Sequence, residues 1–353
     1  MLDAATWRPR SPRAAWLRIA DGTLQLVSDY QPLLEEIQAI YGDFAVSGPP
    51  SRGFVVRCNA TQVPALPVLA VEFEGSGLPD LVGAASSPYR FRRRPDYVEM
   101  PGPCPEWRAL VAAEASERLF LTASGARALV NLDEAPPESV VDWIVCVAQS
   151  VQTGVLFLHA GTVGIGGAGA LIIAPTGGGK STTALAVARR GHAFLGDDVA
   201  AVRLATREAL PFPRAAGVRE GPLARALEAR ISACPHLRAI NRFGIERTLV
   251  RASDLFPWSV SGPLPLRFAF VLDAIGERPA IADFRPALDE RARLQCVVTD
   301  TSGAWAVSPG RDLVLFLSVV SLLSNLRCYL VRRGSPDDTA ALIEAVMMEG
   351  ACT

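Results

Sequence analysis

The chain has 353 residues, of which half are hydrophobic and 20% are charged, as is typical of a globular protein with substantial buried cores. Its 35 basic and 36 acidic residues nearly cancel, so no overall field would draw the protein to nucleic acid or to an anionic membrane. At this length we expect two domains, or one domain with a large N-terminal addition.

The cysteines and the N-terminus indicate the compartment. The 7 cysteines are scattered and form no CxxC pair, which favours reduced thiols over a disulfide framework or a metal cluster. The first residues lack the continuous apolar stretch of a signal peptide. The longest apolar run, residues 313–323, is too short to span a bilayer and predicts a buried helix. We therefore expect a cytoplasmic protein without a membrane partner.

The N-terminal part of the chain predicts a mixed α+β domain over residues 1–135. An early helix is expected at residues 30–44. The strands expected after it lie at residues 52–58, 67–75 and 89–100. Prolines ahead of a helical apolar pattern at residues 134–152 indicate a boundary near residue 136, so that a second domain spans residues 136–353.

The second domain begins with an α/β pattern. Its predicted elements are a buried strand at residues 155–163, a strand at 170–174, a helix at 181–190 closed by Gly191, and a strand at 192–205. The end of the chain predicts a helix at 319–326, a strand at 328–334 and a helix at 335–348 with Ser335 as its N-cap.

A glycine-rich segment, APTGGGKS, joins the second of these strands to the helix and fits a relaxed Walker A pattern. Successive glycines at 177, 178 and 179 let backbone N–H groups surround a phosphate without obstruction by a Cβ, and the following helix adds partial positive charge. Lys180 is the only lysine, since the other 34 basic residues are arginine. A compact ammonium suits a tight phosphate loop better than a planar guanidinium does.

This segment is therefore predicted to bind the phosphates of ATP, and the Ser181 hydroxyl would be offered to Mg²⁺. The predicted nucleotide-binding residues are Thr176, Gly177, Gly178, Gly179, Lys180, Ser181 and Thr182. The alternative is a glycine-rich surface turn with an incidental lysine.

Two adjacent acids follow the glycine-rich segment after a short interval. Asp197 and Asp198 come 17 and 18 residues after Lys180. A helix of about ten residues carries the chain roughly 15 Å away, and about five extended residues bring it back, so both carboxylates are expected beside the segment. Acids next to a bound triphosphate also imply Mg²⁺. Without the glycine-rich segment, the acid pair would be interpreted as a solvated turn. The alternative interpretation of His159 is a structural residue within its apolar strand.

Together these features resemble the catalytic segment of the HPr kinase/phosphorylase family. Its members share a histidine-bearing strand, a phosphate loop, a short helix ending in Arg-Gly-His and an Asp-Asp pair, and the similarity covers residues 155–203. The resemblance implies an α/β fold with a P-loop kinase core of the HPr kinase and phosphoenolpyruvate carboxykinase type. The chain looks most like divergent members, some of which modify serine in ribosomally made peptides such as lasso precursors.

The resemblance also implies roles for individual residues. Lys180 and Ser181 would act on the phosphates and Mg²⁺, and His159 would lie near the transferred group. Asp197 would be the general base toward the acceptor hydroxyl, and Asp198 would assist the metal. The predicted function is Mg²⁺-assisted phosphoryl transfer from ATP to a serine or threonine hydroxyl of a peptide or small protein. The sequence does not name this acceptor, and it leaves homo-oligomerisation open.

Several alternatives stay open or are disfavoured at this point. A regulatory ATP-binding module with weak hydrolysis and a kinase of a free small molecule remain alternatives. The segment GIGGAG, residues 164–169, fits a dinucleotide-binding pattern, but a strand follows it where that unit needs a helix.

The second glycine-rich signature of the bifunctional family members is not found, so the reverse reaction is not predicted. Arg214 and Arg219 are candidates for closing over the nucleotide or the acceptor.

Overall fold

The structure is a computed structural model that describes residues 13–47, 54–63, 66–74, 120–124, 127–131, 154–175, 177–240, 246–284 and 309–351, with residues 140, 141, 144, 145, 148, 149 and 152. Among these, the residues up to 152 form one compact unit, apart from Ala39–Asp43. Those five residues, residues 154–284 and residues 310–351 form the second unit. The strand predicted at 89–100 lies outside the described residues.

The first unit contains an open, mostly antiparallel sheet. Its strands are β1 Arg13–Ile19, β2 Gly22–Ser28, β3 Phe54–Val63, β4 Leu66–Glu74, β5 Phe120–Ser124 and β6 Arg127–Asn131. They follow the order β1-β2-β3-β4-β6-β5, in which β2 and β3 run parallel. Helix α1, Gln31–Tyr41, follows β2 and continues as a 3-10 turn at Gly42–Phe44. The predicted early helix and the first two predicted strands are confirmed.

The second unit contains most of the helices that the structure describes. Its helices are α2 Lys180–Arg189, α3 Pro222–Ala233, α4 Ala252–Leu255, α5 Pro309–Ser324 and α6 Pro336–Ala351, with a 3-10 turn at Pro257–Ser259. Its strands are β7 Val155–Leu158, β8 Gly161–Ile165, β9 Ala168–Ile173, β10 Ala193–Gly196, β11 Ala200–Arg203, β12 Glu208–Leu210, β13 Ala216–Val218, β14 His236–Ile240, β15 Glu246–Val250, β16 Leu264–Ile275, β17 Ala280–Asp283 and β18 Arg327–Arg333.

A sheet with nine described strands forms the centre of this unit. One part runs in the order β10-β8-β9-β16-β18-β17. The other part branches at β16 and continues in the order β16-β12-β11-β7. Strands β9, β16 and β18 run parallel, so their carboxyl ends meet at one edge of the sheet. Strands β13, β15 and β14 form a separate antiparallel sheet. The mixed α/β class is therefore confirmed, whereas the assignment to a particular kinase core stays a prediction.

Side chains of the central sheet alternate between two hydrophobic cores. In β9, Ala170 and Ile172 pack with residues of α2 and α6, whereas Leu171 and Ile173 pack with residues of α5. This two-residue period is what an extended strand buried on both faces requires. The helices therefore cover both faces of the sheet, and only its edges and the loops there are open to a ligand.

Two predicted strands are each divided in the structure. The strand predicted at residues 155–163 is interrupted at His159, because β7 pairs with β11 whereas β8 pairs with β9 and β10. The sequence had predicted that His159 lies within a strand. In the structure it lies in a bend between β7 and β8. The strand predicted at 192–205 is interrupted at residues 197–199. The histidine and the acid pair thus lie at bends between strands.

The other predicted elements of this unit agree with the structure. Gly191 follows α2 with a φ of 100°, the left-handed conformation expected of a C-terminal glycine. The backbone N–H of Asp338 donates to the Ser335 hydroxyl over 3.2 Å, which confirms Ser335 as the cap of α6. The apolar run at 313–323 lies in α5, and no helix in the described part of the chain has the length and apolarity needed to cross a membrane.

Candidate active site

The segment between β9 and α2 forms a tight loop at the carboxyl edge of the central sheet. Gly177 and Gly179 have φ values of 80° and 90°, which favour glycine. At Gly178 an added Cβ would lie 2.7 Å from the Cβ of Ala174 and 2.8 Å from the carbonyl oxygen of Pro175. Each of the three glycines is therefore required by the backbone of this glycine-rich loop, which is described at residues 174, 175 and 177–179.

Helix α2 begins where the glycine-rich loop ends. Gly179 is its N-cap and makes no side-chain hydrogen bond to the helix. The first-turn N–H groups are thus not satisfied by their cap residue and can donate to an external acceptor. The positive end of the helix dipole lies at the same point, so an anion is the favoured acceptor.

The Lys180 ammonium is folded back against the glycine-rich loop. Its Nζ donates to the carbonyl oxygens of Ala174 and Pro175 over 2.8 and 3.3 Å. Only 6% of the residue is exposed. The cation therefore occupies an enclosed place at the bottom of the loop, which fits a compact ammonium better than a planar guanidinium.

The fold brings the acid pair next to His159 and to the start of α2. Antiparallel pairing of β7 with β11 sets Leu158 opposite Ala200, so the bend before β11 adjoins the bend after β7. At Gly196, which ends β10, a Cβ would lie 2.8 Å from the carbonyl oxygen of Phe212. A glycine is therefore needed where the chain turns into the acids.

Asp197 is buried beside the start of α2. Only 3% of the residue is exposed, and the Ser181 hydroxyl lies near its carboxylate. The Oδ1 atom is buried and has no hydrogen-bond partner among the described residues. Burial raises the pKa of the Asp197 carboxyl to about 6, and the negative charge of Asp198 adds to this. The nearby Ser181 hydroxyl and the charges of Arg214 and Arg247 act in the opposite direction.

Asp198 has a different environment. Half of its side chain is exposed, and its Oδ1 lies 3.2 Å from Nε2 of His159. Desolvation raises the pKa of the Asp198 carboxyl, but the hydrogen bond and charge of His159 outweigh this, and Arg214 and Lys180 act in the same direction. Its pKa therefore lies below the ordinary value, and Asp198 stays ionised at neutral pH. The two neighbouring carboxyls thus differ in both exposure and proton affinity.

Arg214 and Arg219, the two candidates for closing over the nucleotide or the acceptor, occupy different environments. Arg214 is 5% exposed, with its Cζ 5.9 Å from the ring centroid of Tyr41, and its charge acts on both acids. It is thus a buried partner of the acid pair and does not lie over an open site. Arg219 is exposed and lies beside Gly177, where an added Cβ would be 3.7 Å from Nη1.

Most of the predicted site residues are together in the structure. The residues brought into one cluster are His159, Gly177, Gly178, Gly179, Lys180, Ser181, Asp197 and Asp198. Thr182 lies in the first turn of α2, and Thr176 lies outside the described residues. Sequence reasoning missed Arg247 and also Arg333, which ends β18. Arg333 could be found only from the order of the strands in the sheet, and the pattern of residues in the sequence does not reveal that order.

The side chains present fit a Mg²⁺ ion that is carried by a nucleotide. In the part of the chain that the structure describes, no group of three or more His, Cys, Asp or Glu could hold a metal by itself. The Ser181 hydroxyl and the ionised Asp198 carboxylate are hard oxygen donors of the kind that Mg²⁺ prefers. Mg²⁺ commonly takes its remaining ligands from phosphate and water, so two such donors suffice.

Comparison with known proteins gives a low-level likeness to solved structures. No family model and no curated protein matches the chain. Among solved structures, it is similar to the Hpr(Ser) kinase/phosphatase from Coxiella burnetii. The match covers 56% of this chain and 96% of that chain, with 13% sequence identity and a TM-score of 0.27. Since a likeness at this level says nothing about activity, any role for the site has to follow from the contacts described above.

The raised pKa of Asp197 predicts that Asp197→Asn stabilises the protein in the absence of ligands at neutral pH. As the pH rises, the unfolded carboxyl ionises near its ordinary pKa of 3.8 and the folded one only near about 6, so the wild type loses stability between these values. Asparagine does not ionise and avoids this loss. The difference corresponds to on the order of 3 kcal/mol above pH 6 and disappears below about pH 4.

Thermal melts in EDTA at about pH 4 and about pH 7.5 measure this effect. The variant should melt roughly 5–10 °C above the wild type at the higher pH and close to it at the lower. The same substitution at Asp283, which is exposed on β17, is the matched control and should change the melting temperature little at either pH. An Asp197→Asn protein that melts at or below the wild-type temperature at the higher pH would contradict the prediction.

Proposed function

We propose that this protein transfers the terminal phosphoryl group of ATP to a serine or threonine hydroxyl of a peptide or small protein. The observation that supports this most is the buried carboxylate of Asp197, which lies near the Ser181 hydroxyl at the start of α2. The Oδ1 of this carboxylate has no partner among the described residues. The start of α2, where an anion is favoured, therefore adjoins the Asp197 carboxylate, which can accept a proton.

The donor phosphates would bind at the glycine-rich loop. Backbone N–H groups of the loop and of the first turn of α2 would donate to phosphate oxygens. The Lys180 ammonium, which now donates to the carbonyls of Ala174 and Pro175, would exchange these acceptors for phosphate oxygens. When bound, Mg²⁺ would be held by Ser181 and Asp198 and would neutralise charge on the phosphates.

Asp197 would act as the general base toward the acceptor. Its Oδ1 would accept the proton of the hydroxyl while the hydroxyl oxygen bonds to the γ-phosphorus and the bond from that phosphorus to the β–γ bridging oxygen breaks. The products are the phosphoester and ADP. A base whose pKa lies near the working pH is the most effective, and burial raises the pKa of Asp197 toward that range.

His159 would position Asp198 beside the transferred group. The contact of 3.2 Å between Nε2 and Oδ1 restricts the direction of the Asp198 carboxylate. The negative charge of Asp198 in turn helps to raise the proton affinity of Asp197. The three side chains would therefore work as a unit, so that a substitution of one is expected to alter the others.

A label-transfer assay tests this function. The protein is incubated with Mg²⁺, γ-labelled ATP, a library of serine- and threonine-containing peptides and a set of small hydroxyl compounds, and is then separated by size. The proposal predicts label in the peptide fraction as phosphoserine or phosphothreonine, and its loss in a Lys180→Ala protein. Label found only as inorganic phosphate would favour a regulatory ATP-binding module, and label found only in the small-molecule fraction would favour a kinase of small molecules.

A further inference from the structure

Arg333, the last residue of β18, lies against the glycine-rich loop. A Cβ added at Gly179 would be 2.6 Å from its Nη1 and 3.7 Å from its Cζ. The Nε of Arg333 donates to the carbonyl oxygen of Asp273 over 2.8 Å, and the residue is only partly exposed. The guanidinium is therefore held at the loop by the neighbouring strand β16 and is not extended into solvent.

The order of strands explains this placement. Strand β18 runs parallel to β16, and β16 runs parallel to β9, which leads into the glycine-rich loop. The residue that ends β18 and the loop after β9 therefore meet at the same carboxyl edge. Ligands of open α/β sheets bind at such edges. Successive side chains of a strand point to opposite faces, so Arg332, the preceding residue, does not share this position.

Several positively charged groups lie together at this position, which favours the binding of an anion there. Gly179 is the N-cap of α2, where the helix dipole favours acids over bases. Lys180 is the next residue, and Arg219 lies by Gly177. Neither Nη nitrogen of Arg333 has a hydrogen-bond partner within the described ranges. Arg333 is only partly exposed, and this desolvation lowers the pKa of its guanidinium, although the charge of Asp273 opposes it.

We propose that Arg333 is a phosphate-binding residue of the donor site and grips the terminal phosphates of the nucleotide from the side of β18. This inference rests on the proposed function, because it takes the glycine-rich loop to bind the donor. The planar fork of a guanidinium can donate two parallel hydrogen bonds to one phosphate group. Glycine at 179 is then needed for a second reason, since a side chain there would exclude the guanidinium.

The experiment is a comparison of Arg333→Gln and Arg332→Gln with the wild-type protein. Arg332→Gln is the matched control, because it removes the same charge from the adjacent, exposed residue of β18. Binding of MgATP and of AMP is measured by calorimetry. Arg333→Gln is expected to weaken MgATP binding about ten- to a hundredfold and AMP binding less than about threefold, because AMP lacks the terminal phosphates. Arg333→Lys should recover only part of the MgATP affinity, since a point charge replaces the fork.

The possible outcomes separate this inference from the proposed function. Selective loss of MgATP affinity in Arg333→Gln, with Arg332→Gln close to wild type, supports the inference. Equal weakening of MgATP and AMP would show a merely structural role and would overturn it, as would an Arg333→Gln protein that binds MgATP like the wild type. A wild-type protein that binds no nucleotide would overturn the proposed function, and the inference with it.

Discussion

Replacing Lys180 with alanine is expected to lower kcat/KM for phosphoryl transfer by roughly 10²–10³ and to weaken ATP binding. Lys180 is the only lysine in the chain, and its ammonium lies at the bottom of the glycine-rich loop. Alanine removes this cation from the bottom of the loop, next to the place where the phosphates would bind. The measurement is steady-state transfer together with calorimetric ATP binding, on protein whose melting curve shows that it is folded.

Lys180→Arg tests whether shape as well as charge matters. The residue is 6% exposed, so the larger guanidinium does not fit the space that the ammonium fills, and we expect the arginine variant to recover little of the lost activity. Arg225→Ala, which removes an exposed cation from α3, is the control for a general loss of charge and should behave like the wild type. Normal ATP affinity and turnover in Lys180→Ala would contradict any role for the loop in binding phosphate.

Asp197→Asn is expected to keep ATP affinity within a few-fold of wild type and to lower transfer by about 10²–10⁴. The amide has nearly the same shape, and the substitution leaves the glycine-rich loop and Lys180 in place. It cannot take the proton of the acceptor hydroxyl. Single-turnover transfer and nucleotide binding, measured on the same protein, separate the two effects.

Asp198→Asn is the matched comparison, because it makes the same change at the adjacent residue. This variant loses the half-exposed carboxylate that contacts His159, and it is expected to need a higher Mg²⁺ concentration for half-maximal transfer. Asp197→Asn should leave that concentration nearly unchanged. An Asp197→Asn enzyme with full turnover would rule out the general-base role.

The sequence was a good guide where short-range geometry decides the structure. Gly177, Gly179 and Gly191 follow from left-handed backbone conformations that few residue types adopt. Gly178 follows from a close approach of the backbone, and Ser335 from its capping hydrogen bond. The return of the acid pair toward the loop follows from the lengths of one helix and one short strand. These features depend on residues that are near one another in the chain.

The sequence was a poorer guide where strand order and side-chain direction decide. Arg333 meets Gly179 only because β18 lies parallel to β16, a pairing of residues that are far apart in the chain. The sequence also did not predict that Ser181 lies near Asp197 or that Asp198 contacts His159. The direction of each carboxylate depends on the bend after β10, and residue spacing does not specify it.

The proposed chemistry depends on one arrangement, in which the glycine-rich loop holds a nucleotide and Asp197 reaches its terminal phosphate. The most direct measurement is the distance from the Asp197 carboxylate to the γ-phosphorus in a crystal structure with Mg²⁺ and a non-hydrolysable ATP analogue. We predict about 5 Å, which leaves room for one hydroxyl oxygen between the two groups. A separation greater than about 10 Å, the diameter of a helix, would contradict the account.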